Sequence, residues 1–313
     1  MIRRLNIILG AACNRHCPYC CQAAPDRRDS CGKADFSRME STLRALNGAG
    51  EFRKLERIAF WGGEPMLYWA TIRSLYRMLC DEGIYPYSAY RVATNGDLVD
   101  GDYVHFANSI PEWLTTVSWH DGSIAQEQWG VLKRLRSCIA TGLVTSSWRR
   151  DLSSMRAKYL SLGLQMPVQL WPVHFAGQCS EAEKLKSSDV DEAIAFLREL
   201  VENPRDEFSR ALRISIMQHC SRSGRLRPDC GDESVLTIDL HGREYLCQHN
   251  PTSQTARTVS LLEKAGESRA ACRECSAWEH CGGGCFLSAN RDVECRFYKE
   301  YVHLGRYLNE AAA

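Results

Sequence analysis

Three cysteines stand within the first twenty residues, in the stretch LGAACNRHCPYC from Leu9 to Cys20. Thiolates serve as nucleophiles, exchange partners and soft metal ligands, and this spacing admits three chemistries. Following Met1-Ile2-Arg3-Arg4, the stretch can end a lipoprotein export signal with Cys13 as the lipidated residue. Cys17-Pro18-Tyr19-Cys20 has the dithiol spacing of a glutaredoxin-type exchange centre. Cys13, Cys17 and Cys20 together can bind three irons of a [4Fe–4S] cube, and Cys21 does not fit that pattern. A cube with one iron free of protein keeps a position open for a substrate or cofactor, as catalytic metal centres do.

Composition bears on the choice. The chain has 313 residues, enough for a large domain with an appendage, and sixteen of them are cysteine, far above ordinary usage. Export is a poor fit, because the apolar stretch after Arg4 runs only from Leu5 to Ala12, contains Asn6, and has Gly10 where a lipobox takes Leu. No apolar run approaches the roughly 18 residues of a membrane span. The expected setting is therefore the reducing cytoplasm, where clustered cysteines are metal ligands more often than disulfides. Lys plus Arg number 39 against 38 Asp plus Glu, a balance that gives no general attraction to nucleic acid or anionic membrane. A thioredoxin-like fold would occupy a fraction of this chain and leave Cys13 unused.

The elements that must position the cysteines follow from hydrophobic periodicity. Strands are expected at Leu5–Leu9, Arg57–Trp61, Arg91–Thr94, Thr115–Trp119, Leu143–Trp148 and Val168–Phe175, and helices at Ser37–Leu46, Trp69–Cys80, Gln126–Ala140 and Asp151–Leu162. Ser37 with Glu40 reads as a capping box for the first helix. Six βα units with apolar strands imply an α/β fold, a partial (β/α)6 TIM-like barrel whose function gathers at the C-terminal ends of the strands. The three cysteines then fall in the first βα loop, at that end.

The pattern changes after a helix near Asp189–Glu202 that stops at Asn203-Pro204. A short run, Leu212–Met217, leads into a tail holding eight of the sixteen cysteines between Cys220 and Cys295. So polar a segment needs metal or covalent staples to stay folded. Within it, Val235–Leu240 and Arg243–Leu246 read as a hairpin turning at His241-Gly242. Cys272, Cys275, Cys281 and Cys285, taken alone, suit zinc as well as an iron–sulfur cluster. Arg296–Leu308 reads as a closing helix with Phe297, Tyr301, Leu304 and Leu308 on one packing face.

Cys-x3-Cys-x2-Cys with an aromatic residue, Tyr19, before the last cysteine resembles the signature of the radical S-adenosylmethionine superfamily. A second stretch agrees: strand two runs into Gly62-Gly63-Glu64-Pro65, similar to that family's Gly-Gly-Glu-Pro motif, where glycine lets backbone approach a ligand closely. The resemblance implies that a [4Fe–4S] cluster on Cys13, Cys17 and Cys20 binds S-adenosylmethionine and generates a 5′-deoxyadenosyl radical. It also implies cofactor contacts at Tyr19, Gly62, Gly63, Glu64, Pro65, Asn95, Ser118 and Asp121, although Asn95-Gly96 and Asp121-Gly122 also read as plain turns. His120 either touches substrate or packs, and packing is the simpler reading.

The tail, with a glycine five residues before Cys247, resembles the SPASM domain attached to many such enzymes. That implies a boundary dividing 1–215, the radical S-adenosylmethionine partial barrel, from 216–313, the SPASM domain with its C-terminal helix. It further implies two auxiliary [4Fe–4S] clusters, three clusters in all. One takes Cys230, Cys247 and Cys285, with Cys220 either the fourth ligand or a free thiol that leaves one iron open, and the other takes Cys272, Cys275, Cys281 and Cys295. Among the remaining cysteines, Cys80 and Cys138 are expected on helical faces as ordinary buried thiols. Cys31 and Cys179 lie in loops after strands one and six and are candidate hydrogen donors.

SPASM members mostly modify peptides or proteins, so the resemblance implies a maturase abstracting hydrogen from a residue of a ribosomally made peptide, supplied by a flavodoxin- or ferredoxin-type electron donor. A small-molecule dehydrogenase or rearrangement enzyme is the alternative, and a zinc-bound interaction protein is the alternative outside enzymology. Sulfatase-maturing relatives place an acidic residue after the second hairpin cysteine, whereas Gln248 follows Cys247 here. Because strand one lies at the start of the chain, a leader segment would be read by the sheet edge, the tail or a separate protein. The basic segments Trp148-Arg149-Arg150 and Arg222–Arg227 are either sites for an acidic leader or solvated surface, the simpler reading.

Overall fold

The computed structural model describes residues 1–22, 36–120, 124–221, 232–249, 256–270, 272–281 and 288–312. Strands and helices alternate through the first part: β1 (Arg4–Ile8), α1 (Ser37–Gly48), β2 (Arg57–Trp61), α2 (Trp69–Asp81), β3 (Ala89–Thr94), α3 (Gly101–Ser109), β4 (Trp113–Ser118), α4 (Gln126–Leu132), β5 (Cys138–Val144), α5 (Trp148–Ser161) and β6 (Val168–Pro172). There follow α6 (Ser187–Glu202), α7 (Glu207–Ser221), β7 (Val235–Asp239), β8 (Glu244–Tyr245), α8 (Val259–Ala270), α9 (Trp278–Cys281) and α10 (Arg291–Glu310). Among the described residues no helix is long and apolar enough to cross a membrane.

All strands join one open sheet in the order β6-β5-β4-β3-β2-β1-β7-β8, parallel except for the β7–β8 hairpin. Alternation gives the sheet two unlike faces. Leu5, Ile7, Ile58, Phe60, Val92, Val117, Ala140 and Leu170 are buried in the apolar core. The opposite face carries polar side chains, where Asn6 Nδ2 donates to Thr237 Oγ1 at 3.1 Å and Arg91 Nε donates to Thr116 Oγ1 at 3.0 Å. That second face is mixed, since Ile8, Ala59 and Trp61 share it with these polar side chains.

Four local expectations are corrected. Ser37 is the first residue of α1, and Phe36 holds the cap position without a side-chain bond. One place inside the helix, the Ser37 hydroxyl cannot serve as cap, and Glu40 pairs with Arg44 instead at 3.0 Å. The helix expected over Gln126–Ala140 ends at Leu132, and the strand expected over Leu143–Trp148 lies earlier, at Cys138–Val144. Thr145 explains the second shift: its Oγ1 accepts the Ser147 N–H at 3.0 Å, turning the chain so that Trp148 opens α5. Cys138 is accordingly a strand residue, though buried as expected, and loss of solvent pushes its thiol up to about 12. Leu212–Met217 falls inside the long helix α7.

The tail is built into the sheet. Strand β7 pairs with β1 over five residues, so the tail hairpin extends the barrel sheet at its first strand. Helix α10 buries Phe297, Tyr301, Leu304 and Leu308, the face read from the sequence, and packs on α6 and α7. Its Glu294, 2% exposed, accepts from Phe175 N at 3.1 Å and pairs with His174 Nδ1 at 2.8 Å, pinning the helix to the end of β6.

Where α7 meets α10, a β-carbon at Gly305 would lie 2.3 Å from Cys220 Sγ. Gly305→Ala is expected to lower stability by about 1–3 kcal/mol through overpacking, outweighing the roughly 1 kcal/mol gained in helix propensity. Adding Cys220→Ala should recover only part of that loss, because the Cys220 β-carbon at 2.8 Å and Ile216 O at 3.1 Å remain. Denaturant unfolding of the single and double variants measures it, and an equal loss with Cys220 absent would locate the strain elsewhere.

Candidate metal centre at the mouth of the sheet

The cysteine loop is held by an extension of the β1–β2 ladder. Leu9 N–H donates to Trp61 O at 2.8 Å, Gly63 N–H to Gly10 O at 3.0 Å, and Glu64 N–H to Ala12 O at 2.8 Å. A β-carbon at Gly63 would stand 2.3 Å from both Ala11 O and Ala12 O, and one at Gly62 would stand 2.9 Å from Gly10 O. The close approach that these glycines permit is therefore made to the cysteine loop itself. Ala12 N–H finds its own partner in the Tyr68 hydroxyl at 3.0 Å.

Beyond that seat, Cys13, Cys17 and Cys20 are half-buried. Arg15 N–H points to Cys13 Sγ at 3.4 Å, and Cys20 N–H closes a turn onto Cys17 O at 3.1 Å. Backbone N–H donors favour sulfur in its anionic, ligating form. Among the described residues no group of His, Cys, Asp or Glu is drawn together as a single ion would require. Three half-buried thiols on one anchored turn suit a cube, in which each sulfur has its own iron.

A second clamp comes from the turn after β3. Arg15 Nε donates to Asp97 Oδ2 at 2.7 Å and Asn14 Nδ2 to the same oxygen at 3.2 Å, while Asn95 Nδ2 donates to Asn14 Oδ1 at 2.8 Å. Glu64 joins this turn to β2. Its carboxylate, 1% exposed, accepts from Thr94 Oγ1 at 2.6 Å, Asn95 N at 2.7 Å and Met66 N at 2.9 Å. Burial pushes the Glu64 carboxyl above its usual range, and the three donors, led by Asn95 N–H, pull against that rise. Pro65 opens the buried 3-10 turn that carries Tyr68. Sequence reasoning missed Tyr68, Asn14, Arg15 and Asp97, since none belongs to a spaced motif.

Other expected residues fall around this mouth. Ser118 is exposed at the end of β4, Tyr19 packs on the buried His120, and Asp121 lies outside the described residues. The loop holding Cys179 docks on the cysteine loop, with Gln178 N–H donating to Gln22 O at 3.1 Å and Ser180 N–H to Pro18 O at 2.8 Å. Burial, then the nearby carboxylates Glu183 and Glu294, push the Cys179 thiol up to about 11. Cys31 lies outside the described residues.

In the tail, Cys247 is buried just after β8, and His249 two places on reaches the mouth, its ring 4.7 Å from that of Trp61. Loss of solvent, with His174 and Arg91 nearby, pushes the His249 imidazole down to about 4. Arg291 on α10 brings Cys272 and Cys295 together: Nη2 donates to Cys272 Sγ at 3.2 Å, and its guanidinium opposes the upward push of burial on Cys295. Cys275 is exposed beside Cys272, donating its N–H to Cys272 O at 2.9 Å. Cys281 ends α9. Cys220 is buried between α7 and α10, its thiol pushed up to about 11 by burial while Arg306 pulls it down. Cys230 and Cys285 lie outside the described residues.

Solved structures share this architecture. The chain aligns over 99% of its length, at 17% identity and a TM-score of 0.67, with 99% of native anSMEcpe with bound AdoMet. It aligns over 91%, at 14% identity and a TM-score of 0.59, with 72% of Streptococcus suis SuiB bound to its precursor peptide SuiA. The chain shares the fold of these structures, a mostly parallel sheet alternating with helices. No family model matches the chain. No curated protein matches it either.

The expected basic segment at α5 is neutralised, since Arg149 pairs with Glu192 at 2.6 Å and Arg150 with Asp151 at 3.0 Å. Arg222, Arg225 and Arg227 lie outside the described residues.

Gly63→Ala must push the cysteine loop off its seat. It is expected to cut the iron bound after anaerobic reconstitution severalfold, whereas Gly48→Ala, with nothing within 4 Å of its new β-carbon, leaves it unchanged. Iron assay of both variants measures this.

Proposed function

We propose that this chain is a radical S-adenosylmethionine enzyme that abstracts a hydrogen atom from a residue of a ribosomally made peptide, leading to crosslinking, epimerisation or oxidation. One observation carries the reading: Cys13, Cys17 and Cys20 sit on a turn fastened to Gly63 and Glu64 at the C-terminal mouth of a parallel sheet. The matched fold supports it, since structures of that fold hold AdoMet, and two of the proteins are described with peptides, anSMEcpe with Kp18Cys and SuiB with SuiA.

The residues divide the work as follows. Cys13, Cys17 and Cys20 would hold the [4Fe–4S] cluster that, with S-adenosylmethionine bound, supplies the 5′-deoxyadenosyl radical. Tyr19, Gly62, Gly63, Glu64, Pro65, Asn95, Ser118 and Asp121 would form the cofactor site. Of these, Glu64 acts chiefly by locking the β3 turn, because its oxygens already accept three donors. The mixed face of the sheet with Arg91, Thr116 and His249 would meet the substrate. Cys179, docked beside the cluster loop, is retained as a candidate hydrogen donor with Cys31.

Two auxiliary clusters would take Cys220, Cys230, Cys247 and Cys285, and Cys272, Cys275, Cys281 and Cys295. The convergence of Cys272 and Cys295 on Arg291 supports the second set. Reaching the mouth through His249, the tail is suited to carry electrons between the substrate and a flavodoxin- or ferredoxin-type donor in the cytoplasm. Gln248, in place of an acidic residue after Cys247, counts against oxidation of Ser or Cys to formylglycine.

Iron-loaded protein given reductant and S-adenosylmethionine should release 5′-deoxyadenosine and shift the mass of its cognate peptide. Ala at Cys13, Cys17 and Cys20 should abolish the nucleoside, whereas Ala at Cys272 and Cys275 should spare part of it while stopping peptide modification. Fully iron-loaded wild type that releases no 5′-deoxyadenosine would overturn the assignment.

A further inference from the structure

Tyr19 is the aromatic residue inside the cysteine motif, and its ring has a built support. His120, 4% exposed after β4, stands edge-on to it, with ring centroids 4.2 Å apart and planes at 80°. Both imidazole nitrogens of His120 are engaged. Leu143 N–H at the end of β5 donates to Nδ1 at 3.2 Å, and Nε2 lies 3.3 Å from Asp151 Oδ2. A nitrogen that accepts carries no proton, so the proton sits on Nε2 and is donated to Asp151. Asp151, in the first turn of α5 and 5% exposed, is oriented by Arg150 Nε at 3.0 Å and Thr145 Oγ1 at 3.5 Å.

Packing alone explains a buried, satisfied histidine, but it does not explain where this one is aimed. With β5 and α5 holding the two nitrogens, the imidazole has a single orientation and backs the ring beside Cys20. The turn carrying that ring is fixed on both sides of it, by Ser180 N–H on Pro18 O and by Cys20 N–H on Cys17 O. Within that turn the His120 imidazole meets the edge of the Tyr19 ring and so bears on its plane. We propose that His120, in its Nε2–H tautomer, is a positioning residue that acts through Tyr19 to shape the aromatic wall of the S-adenosylmethionine site. The inference rests on the cysteine loop holding that cofactor.

A double-mutant cycle on the reconstituted, iron-loaded protein tests it, with S-adenosylmethionine affinity measured by calorimetry. His120→Gln and Tyr19→Ala are each expected to weaken binding about tenfold at unchanged iron content. The double variant should bind no more weakly than Tyr19→Ala alone, since residues acting through one another are not additive. His120→Asn keeps an acceptor for Leu143 N–H but is too short to back the ring, and it should match His120→Gln. Unchanged affinity in both His120 variants, or full additivity with Tyr19→Ala, overturns the proposal while leaving the cofactor assignment standing. Loss of iron or of folding in both variants also overturns it, because the role would then be general packing. A wild type that binds no S-adenosylmethionine removes the cofactor assignment, and this inference with it.

Discussion

Past the last residues of β1 and β2, the backbone hydrogen bonds of the ladder continue through Leu9, Gly63 and Glu64 into the loop that carries Cys13, Cys17 and Cys20. Loops are ordinarily the mobile part of a fold, and a polynuclear site needs its ligands held to a fraction of an ångström. Here two segments of the backbone approach so closely at Gly63 that no side chain fits between them. The cysteine turn thereby inherits the rigidity of the sheet. Every role assigned to the mouth depends on that contact.

Glu64 extends the same order one strand further. A buried carboxylate is costly to desolvate, and hydrogen bonds from neutral donors offset the penalty by roughly 1.5–3 kcal/mol each. Its three donors come from the 3-10 turn after β2 and from the end of β3, so one side chain ties two strand ends together. Asp97 then ties the β3 turn back to Arg15 and Asn14 in the cysteine loop. The result is a closed circuit of contacts around the mouth in which each turn orients the next.

The tail is coupled to this circuit from two directions. Strand β7 lies against β1, and beyond the hairpin His249 packs beside Trp61 at the end of β2. On the far side, buried Glu294 anchors α10 to His174 and Phe175, next to Cys295 and beyond the loop of Cys179. Cysteines separated by more than two hundred residues thus lie on elements that pack on one sheet.

Spacing was the legible part. Cys-x3-Cys-x2-Cys and Gly62-Gly63-Glu64-Pro65 are local patterns, and strand or helix period is local too, so the sequence alone determined the parallel α/β sheet, the cysteine-bearing first loop and the closing helix α10. It erred where local signals compete: Thr145 turned an apparent strand into a helix start, and Ser37 sat one residue too far inside α1 to cap it. Only tertiary structure decided that β7 joins β1, that Tyr68 and Asp97 seat the cysteine loop, that Glu64 faces inward to three donors, and that His120 backs Tyr19. Those contacts join residues far apart in the chain, with no period or motif between them, and they exist only once the strands have set their ends side by side.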